Sequence, residues 1–208
     1  MPEPAATPTL HVGDLPEGLD LGAQVAVDTE TMGLNLGRDR LCLVQLSAGD
    51  GSAHLVQIAR GQSQAPNLTR MLTDPAVLKI FHFARFDIAS LQAQFNEVTR
   101  PVYCTKIASK LVRTFTDRHG LKDLCRDLLG VDISKQQQTS DWGAEALTPD
   151  QLRYAATDVL HLHALKAKLD VLLERERRSA FAQACFAFLP TRALLDLAGW
   201  DDVDIFAH

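Results

Sequence analysis

Asp28 and Glu30 lie in the run VDTET, Asp87 closes the run FHFARFD, and Tyr154 and Asp158 sit four apart in YAATD. Four carboxylates from three separated segments suit hard divalent cations, Mg2+ or Mn2+, which prefer oxygen ligands. Two such ions side by side stabilise both the attacking and the leaving oxygen of a phosphodiester. The chemistry open to this set is metal-assisted hydrolysis of a nucleic acid.

Spacing strengthens each pair. Asp28 and Glu30 are two apart at the end of the apolar run VAV, so on a strand both leave the same face. Carboxylates there are costly unless something compensates them, which favours a ligand role over a solvated pair. Asp87 follows the apolar run KIFHF, where open α/β sheets place functional residues. Taken alone it reads equally as a helix N-cap. Tyr154 and Asp158 share one helix face, and Ala155 and Ala156 between them allow close approach to a sheet. Each pair alone is a weak signal, and their joint occurrence carries the argument.

The elements that must position these residues can be read from apolar runs and breakers. Residues 24–30, 41–47 and 53–58 read as strands, with AGDGS as a hairpin turn between the second and third, which suggests an antiparallel meander. Residues 78–83 read as a fourth strand and 101–104 as a short fifth. Helices are expected over 66–72, 87–95, 105–113, 119–129, 148–177 and 179–197, the last interrupted near Pro190. Thr148, Pro149 and Gln151 give the long helix an N-cap, a first-position proline and a capping box. The polar segment ISKQQQTSDWGAEAL reads as a loop over the site. The expected fold class is α/β, a mixed five-stranded sheet flanked by helices.

At 208 residues the chain suits one domain, 1–208, with residues 1–9 as a flexible tail. Its 46% hydrophobic and 23% charged content is that of an ordinary globular protein, and neither a signal peptide nor a membrane span is visible. The cysteines Cys42, Cys104, Cys125 and Cys185 form no CxxC pair and read as buried free thiols in a reducing cytoplasm. The net charge of −5 argues against a protein that wraps long duplexes. Arg100 to Arg126 nevertheless holds seven basic residues against Asp117 and Asp123. That stretch reads either as a cationic lip for a short substrate or as the solvated face of two helices.

The three acidic segments resemble the motifs of the DEDD 3′–5′ exonucleases in their tyrosine-bearing branch. The histidine-bearing branch would carry His at position 153, which is Arg153 here. Across about residues 20–170 the chain is similar to ribonuclease D, SDW at 140–142 included. Only fifty residues follow Asp158, too few for the HRDC domains of ribonuclease D. The runs DTETMGLNLGRDRLCLVQLS, YCTKIASKLVRTFTDRHGLK and FLPTRALLDLAGWDDVDIFAH resemble the nanoRNase C family of diribonucleotidases. This resemblance implies a ribonuclease H-like fold, a 3′–5′ exoribonuclease acting on 5′-phosphorylated dinucleotides, and a ring-like homo-octamer. The alternatives are a ribonuclease D-like enzyme trimming longer RNA or DNA, and a catalytically silent binding module.

On that footing Asp28, Glu30, Asp87 and Asp158 are expected to hold two Mg2+ or Mn2+ ions about 3.5–4 Å apart. Tyr154 is expected to orient the attacking water rather than act as a base, since a phenol is mostly protonated at neutral pH. Leu34 resembles a wedge between two bases, with a core-packed loop leucine as the competing reading. Phe83 could stack on a base and His82 could bind a ribose hydroxyl or phosphate, although strand alternation would let only one of them face the site. Lys110, Lys135, Gln138, Ser140 and His208 are candidates for holding the 5′ phosphate. Trp142 reads as a packing anchor, and the apolar tip of residues 198–208 reads as a segment that docks on another protomer or on its own domain.

Overall fold

The structure, a computed structural model, describes residues 8–134 and 136–207. Its strands are β1 (Thr9–Val12), β2 (Gln24–Thr31), β3 (Leu41–Ser47), β4 (His54–Gln57), β5 (Leu78–Phe81) and β6 (Val102–Cys104). They form one sheet in the order β1-β4-β3-β2-β5-β6. β2, β3 and β4 make the antiparallel meander expected from the sequence, and Gly49 and Gly51 in its turn take positive φ of 81° and 89°. β5 runs parallel to β2, and β6 parallel to β5.

The sheet has six strands, one more than expected. The additional strand β1 pairs in parallel with β4 and begins at Thr9, within the segment read as a tail. Its signal was weak because Leu10 and Val12 stay exposed at the sheet edge. Backbone pairing forms it, with Thr9 N donating to Ala53 O at 2.9 Å and Gly13 N to Gln57 O at 2.9 Å. β3 is buried along its whole length, which explains why LCLVQLS shows no polar alternation.

The helices are α1 (Pro66–Thr73), α2 (Ala84–Phe95), α3 (Thr105–Val112), α4 (Leu121–Leu124), α5 (Pro149–Leu160), α6 (Leu162–Arg175) and α7 (Ser179–Leu195). α4 runs on into a π-helical turn, Cys125–Leu129, and α7 into another, Asp196–Trp200. The expected long helix is two helices that break at His161. No proline or glycine marks this break, and packing accounts for it: α5 lies on β2 and β3, whereas α6 lies against α3 and β5. The capping box is present, with Thr148 accepting from Gln151 N at 3.3 Å and Gln151 Oε1 accepting from Thr148 N at 2.9 Å. α7 passes through Pro190 without ending, a correction to the expected interruption. Cys42, Cys104 and Cys125 are buried free thiols, but Cys185 is exposed, because Ala182, Phe186 and Leu189 take the inward face of α7. Among the described residues no helix is long and apolar enough to cross a membrane.

Lys79 is fully buried in β5. Its Nζ donates to Asp74 O at 2.9 Å, Val77 O at 2.7 Å and Arg100 O at 2.6 Å, which uses all three ammonium protons. The bonds tie the loops that precede β5 and β6 to the strand. Lys79→Met keeps the stem but removes all three bonds, leaving Asp74 O only its backbone donor Val77 N. It is expected to destabilise the fold by about 2–4 kcal/mol, read as a lower urea midpoint with an unchanged m-value.

Candidate active site

The sheet topology decides where the acidic residues meet. β2 and β5 are parallel neighbours, so they end on the same side of the sheet. Asp28 and Glu30 sit in the last half of β2, and the chain leaving β5 turns at His82 and Phe83 into α2, which carries Asp87 in its first turn. A register shift between Glu30 and Thr31 bends the strand at this point, as bulges beside sites commonly do. α5 crosses β2 with Tyr154 and Asp158 on the near face, and buried Ala155 and Ala156 let it come close.

These residues line one cavity of about 630 Å³. Carboxylate oxygens of Asp28, Glu30 and Asp158 all lie within 4.8 Å of one another. Asp87 is buried beside them and accepts a 2.6 Å hydrogen bond from Thr29 Oγ1. It is not the N-cap of α2, because that helix begins at Ala84 and its cap position is Phe83. Gln45, paired with Asp28 across β2 and β3, places its Nε2 3.4 Å from Asp28 Oδ2.

The crowding has an electrostatic signature. Burial, followed by repulsion from Asp158 and Asp87, pushes the Glu30 carboxyl up to about 9. Burial, followed by Asp87, Asp158 and Glu30, raises Asp28 well above the usual carboxylate range. Asp87 is pushed up by burial to about 7, with the Thr29 hydroxyl opposing the rise. The Tyr154 phenol is raised by burial and by Asp158, Glu30 and Asp28, so it stays protonated. Carboxylates that repel one another in a pit fit a dication: its charge reverses the repulsion and their oxygens are the ligands it prefers.

A family model described as 3′-5′ exonuclease matches residues 13–174. The chain belongs to this 3′–5′ exonuclease family. The structure of Brucella melitensis NrnC with bound Mg2+ is 57% identical, with a TM-score of 0.93, covering 97% of this chain and 99% of that one. The same protein bound to pGG gives 57% identity and a TM-score of 0.95, covering 98% and 99%. Ribonuclease D of Granulibacter bethesdensis is 36% identical over 165 residues, 79% of this chain. The chain spans 41% of the length of that curated relative.

Around the acidic floor of the cavity, the structure brings most of the other candidates together. Leu34, His82, Phe83, Gln138 and Ser140 line the same cavity. Leu34 is 84% exposed, so it is not packed on the core. His82 and Phe83 both reach the cavity, against the expectation that only one would. β5 stops at Phe81, and Phe83 adopts a left-handed φ of 69°, so strand alternation does not apply to them. His82 Nδ1 is 2.8 Å from Thr105 Oγ1. Lys110 lies elsewhere, in a neighbouring hollow lined also by Phe83, Lys106 and Phe206. Lys135 and His208 fall outside the described residues.

Among the described residues, the lysines lining the acidic cavity are instead Lys106 and Lys122, which were in the basic stretch but not singled out. Lys106 Nζ stands 3.9 Å from the centre of the Phe83 ring. The stretch fits neither expectation as a whole: Lys106 and Lys122 line the cavity, Arg113 is buried and pairs with Asp127, and Arg126 pairs on the surface with Asp123 and Asp127. Trp142 is buried, its ring centroid 6.0 Å from that of Tyr154. Thr29 and Gln45 were also missed. Gln45 had a signal, a polar residue inside an apolar strand, whereas Thr29 had none beyond its place between two carboxylates.

The raised carboxyls give the metal-free protein a defined pH dependence. Between about pH 4, where free carboxyls ionise, and the Glu30 value of about 9, the folded state binds more protons than the unfolded one. Stability therefore falls as pH rises through that window. In EDTA the melting temperature is expected to fall steadily from pH 5 to pH 9, and Mg2+ to restore it most at the alkaline end. Asp28→Asn removes one repelling charge. It is expected to melt higher than the natural protein in EDTA at pH 8, by about 2–4 °C per kcal/mol regained, and to lose the rise on adding Mg2+. Differential scanning fluorimetry reads both.

Proposed function

We propose that this chain is a two-metal 3′–5′ exoribonuclease that hydrolyses very short RNA, chiefly 5′-phosphorylated dinucleotides, to 5′-mononucleotides. The observation that carries the proposal is the convergence of Asp28, Glu30, Asp87, Tyr154 and Asp158 on one cavity that also presents Leu34, His82 and Phe83. The likeness to NrnC, which was solved with pGG, supports the choice of a dinucleotide.

Asp28, Glu30, Asp87 and Asp158 would hold the two ions, Mg2+ or Mn2+. When bound, these supply positive charge that activates water and stabilises the leaving oxygen. The protonated Tyr154 hydroxyl orients the attacking water at the cavity wall. As the water oxygen bonds to phosphorus and gives up one proton, the bond from phosphorus to the 3′ oxygen breaks, and that oxygen takes up a proton in turn. The exposed Leu34 side chain separates the two bases, and Phe83 offers a stacking face to one of them. His82 binds a ribose hydroxyl or phosphate, while Gln138 and Ser140 lie on the wall available to the 5′ phosphate. Lys135 and His208 stay candidates for that phosphate on the sequence alone.

The proposal extends to assembly and place. A ring-like homo-octamer is supported by the sequence resemblance and by the apolar Trp200, Ile205 and Phe206, which are partly exposed on the C-terminal segment. That segment also docks on its own chain, with Phe206 5.7 Å from Phe188 between ring centroids. Four free thiols fit a reducing cytoplasm.

The test follows product formation from 5′-labelled RNAs of two to seven nucleotides with Mg2+ or Mn2+. The dinucleotide is expected to vanish at least about tenfold faster than the longer chains, and Asp28→Ala to slow it by about 10³-fold or more. Similar rates at all lengths would establish a ribonuclease D-like trimming enzyme, and no cleavage with either metal a silent binding module. Sedimentation velocity checks the assembly: a species of eight chains is expected, and a monomer or dimer would refute the ring.

A further inference from the structure

We propose that Asp196 is a positioning residue for substrate, acting through Arg85 on the turn that presents Phe83. The inference rests on the nuclease reading above, in which Phe83 offers a stacking face to a base. Asp196 opens the π-helical turn after α7 and is 111 residues from Arg85, yet the two form a bidentate pair. Arg85 Nε donates to Asp196 Oδ2 at 2.6 Å and its Nη2 to Oδ1 at 2.8 Å. Arg192 Nη2 reaches Asp196 Oδ1 at 2.9 Å, so one carboxylate with 4% of its side chain exposed lies between two guanidinium groups. Arg85 also donates to Asp201 O at 2.6 Å, and Arg192 to Trp200 O and Asp201 O. Gly199, with φ of 87°, lets the chain bend so that these carbonyls face the two arginines.

The latch grips a weak point of the site. α2 has no side-chain hydrogen bond at its N-cap, and that cap residue is Phe83 itself. A left-handed φ is unfavourable for an aromatic residue and persists only where the surroundings impose it. Phe83 is 48% exposed and stands where three hollows meet, so core packing does little to hold its ring. Its position is therefore set by its backbone and by Lys106 over the ring. Arg85, two residues on, fixes that backbone from outside. A bidentate pair whose carboxylate is buried has the directionality this requires. Asp87 is anchored separately by Thr29 on β2, so the latch acts on the base platform rather than on the acidic floor.

Steady-state kinetics on a 5′-phosphorylated dinucleotide at saturating Mg2+ test this. Asp196→Asn is expected to raise KM by about tenfold while kcat changes less than about threefold, the pattern of lost binding rather than lost chemistry. Arg85→Ala is expected to match it, the double variant to be no worse than either single one, and Asp196→Glu to restore KM to within about threefold of the natural value. If Asp196→Asn does not fold, Arg85→Ala carries the test, because the Arg85 side chain is 36% exposed. An unchanged KM in a folded, active variant would overturn the positioning role and leave the nuclease reading intact. A natural protein that cleaves no RNA would overturn both.

Discussion

The structure is organised around a repulsion. Asp28, Glu30 and Asp158 bring oxygens within 4.8 Å of one another, with Asp87 buried alongside, and their carboxyls are held above the ordinary range by burial and by each other. In a protein without ions this arrangement works against folding, because each added negative charge in a partly dry pit is unfavourable. Positive charge resolves it, and the same oxygens that repel become ligands. The acidic floor is therefore destabilised locally and must be held by the rest of the fold.

That hold comes from strand direction. β2 is the pivot of the sheet, antiparallel to β3 on one side and parallel to β5 on the other. The antiparallel side buries β3 fully and gives Asp28 its cross-strand neighbour Gln45. The parallel side makes β2 and β5 end together, which brings the first turn of α2 to the acidic pair. α5 closes the arrangement from above, and its two small buried residues set how near Tyr154 and Asp158 can come.

The perimeter is built differently from the floor. Strands and buried helix faces fix the carboxylates, whereas Leu34 and Phe83 are exposed side chains on turns. Their placement depends on backbone held from outside: a strained cap at Phe83, a lysine over its ring, and the Arg85–Asp196 pair that brings the C-terminal segment to the same turn. Charge follows the same division. The chain is acidic overall; within its basic stretch Arg113 and Arg126 are used in ion pairs with Asp127 and Asp123, and Lys106 and Lys122 stand on the cavity wall.

Local rules made much of this legible in the sequence. Apolar runs and turn residues located β2 to β6, the capping box located the start of α5, and the spacing of Asp28 with Glu30 and of Tyr154 with Asp158 fixed which side chains share a face. These features depend on residues a few positions apart, so one-dimensional order suffices for them. β1 escaped because its partner lies 45 positions away and its side chains are not buried. Lys106 over Phe83, Thr29 on Asp87 and Arg85 on Asp196 escaped for the same reason, being contacts between segments far apart in the chain. The break at His161 followed from two helices meeting different neighbours, not from any helix breaker. The sequence by itself determined which chemistry the residues can perform and which element carries each. Tertiary structure alone decided how the acidic segments converge and what holds the platform beside them, because strand order and long-range ion pairs are properties of packing that no local spacing encodes.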